Sequence, residues 1–401
     1  MDMLTQAVRT KLPFVHITTD DLIHIGEVLS FISGVEAKYL SASTFTNDMT
    51  SLPDGEVFYT SCDVPSPKLY MICKNEGKCL VFVNTKTSVM FFNGGVMFPP
   101  KDLMRAYLLS LGCAEADAEA LLPAYGGLTL KDMYEVTQLT LHRAGNITTR
   151  EINSTRQGYI TKLKGITQID TKYSFYQCPS LLQHWMDKNL PFFSQDISPQ
   201  LTPRGLLLDG PPGTGKTMGA KHIACTLGVP LYHLDIGAIK GKYVGDSEGN
   251  LHAALAQVDQ VEPCVVLIDE VEKIFGEQHD SGVTSSLLGT LLWWLQEHKT
   301  KVFTVMTTNK KEVIPPELYR EGRIDETMMF SGIEGLNNAL VFAEQVFDAL
   351  MKDNDWNLPA LDKAAVEKSL KVLFSDQSAV AQVKVTQLIH SIAKEMLLEV
   401  L

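Results

Sequence analysis

A chain of 401 residues, 45% hydrophobic and 20% charged, has the make-up of a globular protein with two or three cores. Its net charge of −12 weighs against a general nucleic-acid binder, which needs clustered Lys and Arg, although a narrow basic pore stays compatible with it. Seven scattered cysteines without a C-x-x-C pair predict reduced thiols in a cytoplasmic chain, not a disulfide framework or zinc site. The first residues lack the basic and apolar regions of a signal peptide. No apolar run approaches the ~18 residues of a membrane span, so no membrane association is expected.

The first zone, 1–165, predicts strands at 14–18, 57–61 and 79–83, then a helical stretch from Lys101. Thr129 with Asp132 three residues on resembles a capping box, and Gly145 sits where a C-terminal cap belongs; a helix is expected over 129–144. The zone reads as a small α/β unit followed by helices, without a glycine-rich phosphate loop. Its run Cys79-Leu80-Val81-Phe82-Val83-Asn84 ends in Asn where a Mg²⁺-binding strand would end in Asp, so hydrolysis is not expected there.

The second zone, 166–330, alternates strands (205–208, 231–234, 264–268, 302–306) with helices in the manner of a doubly wound parallel sheet. Gly210, Pro211, Pro212, Gly213, Thr214, Gly215, Lys216 and Thr217 match G-x-x-x-x-G-K-[ST] in full, and Met218 continues into a helix with core-facing spacing. Strand, glycine-rich turn and helix N-terminus make an anion site from backbone N–H groups and the helix dipole. Lys216 is placed for the β and γ phosphates and the Thr217 hydroxyl for Mg²⁺. The chain is expected to bind a nucleoside triphosphate.

A buried apolar strand then ends in Asp269-Glu270. Asp269 is the expected Mg²⁺ holder, through water, and Glu270 the group that polarises an attacking water. Asn309 follows the strand 302–306 and its polar end, where it is either a turn former or a residue between γ-phosphate and water. Arg320 and Arg323 flank Gly322, as a solvated turn or as arginine fingers. The third zone, 331–401, gives no strand signal and three helices, around 336–352, 362–374 and 384–399.

These motifs, in this order, resemble the AAA family of the AAA+ ATPases. Arg320-Glu321-Gly322-Arg323 is similar to that family's second region of homology, with Glu321 in place of a frequent proline. Asp269-Glu270-Val271-Glu272 departs from the usual Asp-Glu-Ile-Asp and keeps both catalytic acids. The runs Leu234-Asp235-Ile236-Gly237, Val244-Gly245-Asp246-Ser247-Glu248, Glu262-Pro263-Cys264 and Leu288-Gly289-Thr290 with Trp294-Leu295-Gln296-Glu297 resemble the Ycf46-type AAA ATPases, which carry a degenerate N-terminal AAA-like half.

The resemblance implies a P-loop NTPase fold with a C-terminal helical lid behind a degenerate α/β domain. It implies ATP and Mg²⁺ as cofactors, with Thr217 and Asp269 at the metal, and Lys216, Asp269, Glu270 and Asn309 as catalytic residues. It implies a ring of copies, six by the family's habit, in which Arg320 and Arg323 act on the neighbour's nucleotide. Lys242, Tyr243, Val244 and Gly245 take the place of a pore loop that grips an extended protein substrate; a surface loop is the plain alternative. The lid stretch 383–388 lacks the arginine of many AAA+ lids, and Lys384 is a solvated lysine or a phosphate contact. A nucleic-acid-linked motor and an assembly switch that does not thread are the competing functions. A protease motif H-E-x-x-H is absent from the sequence.

Overall fold

The computed structural model describes residues 3–45, 49–86, 90–156, 165–173, 175–194, 197–198, 200–239, 244–275, 281–320, 322–356, 358–375 and 377–400. The chain divides into two compact units, Met1–Tyr159 and Ile160–Leu401.

The first unit runs α1 (Met3–Arg9), β1 (Phe14–Thr18), α2 (Ile25–Ser33), β2 (Ala37–Tyr39), β3 (Val57–Thr60), α3 (Pro67–Glu76), β4 (Cys79–Val83) and β5 (Phe92–Val96). Four helices follow: α4 (Lys101–Ser110), α5 (Glu115–Leu121), α6 (Leu130–Ala144) and α7 (Thr149–Thr155). The strands form a fully parallel sheet in the order β2-β3-β4-β1-β5. β4 is buried at all five positions, which is why its sequence is unbroken Cys-Leu-Val-Phe-Val instead of an alternation. The predicted helix is present as α6. The Thr129 side chain accepts from the Asp132 amide at 3.2 Å, and Gly145 closes the other end in the left-handed conformation.

The second unit runs β6 (Ile166–Ile169), α8 (Ser180–Ser194), β7 (Gly205–Asp209), α9 (Lys216–Leu227), β8 (Leu231–Leu234), α10 (Ile236–Ile239), α11 (Val244–Gln260), β9 (Cys264–Ile268), α12 (Glu272–Phe275), α13 (Ser281–Glu297), β10 (Val302–Thr308) and β11 (Glu326–Met329). It ends with β12 (Ile333–Glu334), α14 (Leu336–Asn354), α15 (Lys363–Leu373), β13 (Ala379–Val380) and α16 (Gln382–Val400). Its six-stranded sheet has the order β11-β7-β10-β9-β8-β6, parallel except for the edge strand β6, which runs antiparallel to β8. Alternate residues feed two cores. Leu207, Val266 and Met306 point to one face, and Leu206, Leu208, Val265, Leu267, Phe303 and Val305 to the other. Truncating one of these, such as Leu207 at 0% exposure, is expected to cost about 2–5 kcal/mol.

Two sequence expectations are corrected. The third zone does contain strands: β12 and β13 pair antiparallel over two residues each, too short for any alternation to show. The second correction concerns 79–84. Numbered along the chain, the first sheet reads fifth, first, fourth, third, second strand, and β11-β7-β10-β9-β8 repeats that order once the edge strand β6 is set aside. β4 therefore corresponds to β10, not to β9 with its two acids. Asn84 is the counterpart of Asn309, and the counterpart of β9, the expected Mg²⁺ strand, is β3. Among the described residues no helix is long and apolar enough to cross a membrane.

Candidate active site

The loop 210–215 leaves β7 and enters α9 with three left-handed glycines, Gly210 (φ 146°), Gly213 (φ 77°) and Gly215 (φ 92°). Steric demand joins the dihedral demand here. A Cβ on Gly210 would lie 2.1 Å from the Phe330 carbonyl oxygen, and one on Gly213 would lie 2.4 Å from Val383 Cγ1. The Thr214 hydroxyl donates to the Pro211 carbonyl at 2.9 Å and closes the turn.

Lys216 is 7% exposed and its ammonium has three acceptors: the carbonyls of Gly210 (2.6 Å) and Pro211 (2.8 Å), and Asn309 Oδ1 (2.9 Å). Burial pulls its pKa below the ordinary lysine value, against the pull of Asp269, Glu272, Asp209 and Glu270. The amine thus curls onto the loop whose ligand it is placed to meet. The parallel register brings the strand ends together: Thr308 lies beside Asp209, and Met306 beside Ile268. That register is what carries Asn309 and Asp269 to the loop.

Asp269 accepts from the Thr307 hydroxyl and lies 3.3 Å from the Thr217 hydroxyl. Glu270 has the left-handed backbone (φ 52°), pinned by its amide donating to Thr307 Oγ1 at 2.9 Å. Its carboxylate is paired with Lys273, one turn on. Glu272, which the sequence reading passed over as a departure from the family pattern, accepts from both nitrogens of Asn309.

A cavity of about 570 Å³ opens beside the loop. Pro212, Gly213, Gly215, Lys216, Thr217, Met218, Asp269, Glu270 and Asn309 line it, so these expected site residues share one space. The rest of the wall is an aromatic strap that was not anticipated and residues of the helical segment expected as a lid. Tyr173, Phe175 and Tyr176 form an aromatic strap ahead of α8, and Phe342, Val346, Gln382, Val383 and His390 come from α14 and α16. The sequence cue was the cluster Tyr173-Ser174-Phe175-Tyr176, which carries no fixed spacing to the loop. The Val383 amide donates to the Gly213 carbonyl at 3.1 Å, so the last helix touches the loop directly. Lys384 is exposed and does not line the cavity.

Arg320 and Arg323 lie outside this cavity. Arg320 is exposed, and Arg323 donates to the Glu317 carbonyl (2.5 Å) and to Gln296 Oε1 (3.0 Å). Of the expected pore loop, Lys242 and Tyr243 fall outside the described residues. Val244 and Gly245 are described only as the helical start of α11.

A parallel sheet in this strand order, with a lysine-bearing glycine loop facing two strand-end acids, defines a P-loop ATPase domain. Residues 206–331 match the ATPase family associated with various cellular activities (AAA). Within it the likeness is to the Ycf46 type. The chain is 42% identical to the AAA domain-containing protein ycf46 of Guillardia theta, over 33% of this chain and 27% of that protein. It is 35% identical to ycf46 of Trieres chinensis over 44% of this chain and 36% of that one. The 26S proteasome subunit RPT4 of Saccharomyces cerevisiae is 35% identical over 31% and 30%. The matches span about a third of the length of these relatives.

Proposed function

We propose that the second unit hydrolyses ATP with Mg²⁺ and does so in a ring of copies, six by the family's habit, that remodels a protein substrate in the cytoplasm. The observation that carries this is the split of the machinery: Lys216, Thr217, Asp269, Glu270 and Asn309 surround one cavity, while Arg320 and Arg323 stand outside it. A hydroxyl and a carboxylate oxygen at Thr217 and Asp269 form a hard-oxygen pair suited to Mg²⁺, which would be held there with phosphate oxygens and water. When bound, the ion spreads the negative charge of the phosphates.

The residues divide the reaction as follows. Lys216 leaves the loop carbonyls for the β and γ phosphates and neutralises charge on them. Glu270 leaves Lys273, takes a proton from a water, and the water oxygen bonds to the γ-phosphorus as the bond to the β–γ bridging oxygen breaks. Asn309 orients that water. Arg320 or Arg323 from a neighbouring copy adds positive charge at the γ-phosphoryl group. Tyr243 and Val244 grip the polypeptide, and the likeness to a 26S proteasome subunit supports a protein over a nucleic acid.

The test is a mixing experiment. A Lys216→Ala chain binds no ATP and an Arg323→Ala chain supplies no finger. Each alone is expected to lose ATPase activity at least about a hundredfold. Mixed, they recover part of it at joint sites. No recovery, with Arg323→Ala hydrolysing at the normal rate as a monomer, overturns the reading. Glu270→Gln held in ATP is expected to retain a protein substrate; captured nucleic acid in its place overturns the substrate class.

A further inference from the structure

The first unit repeats the strand order of the second, and its first loop repeats the length. Residues 19–24 join β1 to α2, and residues 210–215 join β7 to α9, six in each. The chemistry differs. Free of glycine, the first loop reads Thr19-Asp20-Asp21-Leu22-Ile23-His24. Asp21 is 1% exposed and points into its own turn. Its Oδ1 accepts from the amides of Ile23 (3.1 Å) and His24 (3.0 Å), and the His24 ring nitrogen Nδ1 lies 3.0 Å from the same oxygen. Its Oδ2 accepts from the amide of Lys131 at 2.8 Å.

Two of these donors are of the kind that a phosphate uses at such a loop: backbone N–H groups at the loop's end, just ahead of the following helix, with the helix dipole behind them. The Lys131 contact extends the correspondence. Four helices follow the fifth strand in the first unit, α4 to α7, and three in the second, α14 to α16. Lys131 is the second residue of α6, and Val383, whose amide meets the phosphate loop, is the second residue of α16. In both units the second residue of the third helix donates its amide to the first loop. Only in the first does a side chain of the loop itself make the tie. The Tyr134 hydroxyl, donating to Glu27 at 2.9 Å, joins α6 to α2 a second time. Asn84 braces the loop as well: its Oδ1 accepts from the Thr19 amide (2.9 Å) and its Nδ2 donates to the Thr19 carbonyl (2.8 Å).

We propose that Asp21 is a built-in substitute for a phosphate. It fills the anion position of the first loop with the chain's own carboxylate, so the first unit takes no nucleotide and its helices are held closed on the sheet at all times. Asp20 adds a second negative charge beside it, exposed at the mouth of the turn, which repels any incoming phosphate. The unit is then a fixed platform whose shape does not follow the nucleotide state. This conclusion stands whether or not the second unit hydrolyses ATP.

The experiment is amide hydrogen exchange on the full chain, read at residues 19–24 and at the start of α6. In a Lys216→Ala background these amides are expected to be protected without nucleotide and unchanged by ATP; ATP-induced protection there overturns the proposal. Asp21→Ala is expected to speed exchange at Ile23, His24 and Lys131 about tenfold or more, the loss of charged hydrogen bonds. Formate or phosphate then restores protection in this variant beyond chloride at matched ionic strength, and does nothing to the wild-type chain. Asp21→Asn keeps the size and one acceptor but turns an N–H₂ toward a donor, so it serves if the alanine variant does not fold: Lys131 is expected to lose more protection than Ile23. Rescue by formate and phosphate no better than by chloride, or equal loss at Ile23 and Lys131 in the asparagine variant, overturns the assignment.

Discussion

Glu272 Oε1 accepts a hydrogen bond from each nitrogen of Asn309, the side-chain amide at 2.9 Å and the backbone amide at 3.2 Å. The other side of the same amide, Oδ1, receives the Lys216 ammonium at 2.9 Å. A carboxylate can only accept and an ammonium can only donate, so the two partners leave one orientation for the Asn309 amide. Glu272 is therefore a positioning residue, fixing which end of Asn309 faces the loop. Its second oxygen is buried, with no hydrogen-bond partner among the described residues. Glu272→Ala is expected to lower kcat about tenfold or more while ATP affinity shifts little, because the loop itself is untouched. Glu272→Gln, which keeps an acceptor oxygen, is expected to recover part of the rate. Steady-state ATPase assays beside equilibrium nucleotide binding separate the two; a loss confined to affinity refutes the role.

Much of this site was legible because its residues sit in fixed motifs at the ends of buried apolar strands. Strand β9 announces itself by five consecutive buried residues, and the acids after it are placed by the register with β10. Glu272 escaped because its importance lies in a partner 37 residues away, which no local spacing encodes. The strap at Tyr173 and Tyr176 escaped for the same reason. The short strands β6, β11, β12 and β13 are edge or two-residue elements, half exposed, and lack the hydrophobic run that marks a central strand. The degeneracy of the first unit was readable as missing glycines, but the carboxylate that replaces the phosphate was not, since Lys131 lies 110 residues from Asp21.

The strap gives the nucleotide cavity a pH dependence. The Tyr173 hydroxyl lies 2.6 Å from His222 Nδ1, and the Tyr176 ring centroid lies 5.4 Å from that imidazole. Burial lowers the His222 pKa below its ordinary 6.5. The neutral ring is thus the folded form, and the unfolded chain binds the extra proton first. As pH falls below 6.5 the unfolded state gains protons that the fold refuses, and stability declines until the folded pKa is passed. Protonation of Nδ1 also removes the lone pair available to the Tyr173 hydroxyl. The unfolding midpoint of the second unit is expected to fall as the pH drops below 6.5, and His222→Gln to flatten that slope. Identical slopes in the two chains would count against the assignment.

Gly213 joins two demands that one substitution can separate. Its φ of 77° disfavours any side chain, and a Cβ there would lie 2.4 Å from Val383 Cγ1 and 3.5 Å from Ala381 Cβ, at the start of α16. The hydrogen bond from the Val383 amide to the Gly213 carbonyl at 3.1 Å runs through the same contact. Gly213→Ala is expected to push the last helix off the loop and to strain the turn, together about 1–3 kcal/mol against the closed arrangement. Val383→Ala removes the obstructing methyl groups and leaves the backbone strain with a milder 3.3 Å contact to the retained Cβ, so the double variant should recover part of the loss. The measurement is ATP affinity, with the thermal unfolding midpoint alongside, across wild type, both single variants and the pair. A double variant no better than Gly213→Ala alone would place the whole cost in the backbone and deny the helix contact any part in closing the site.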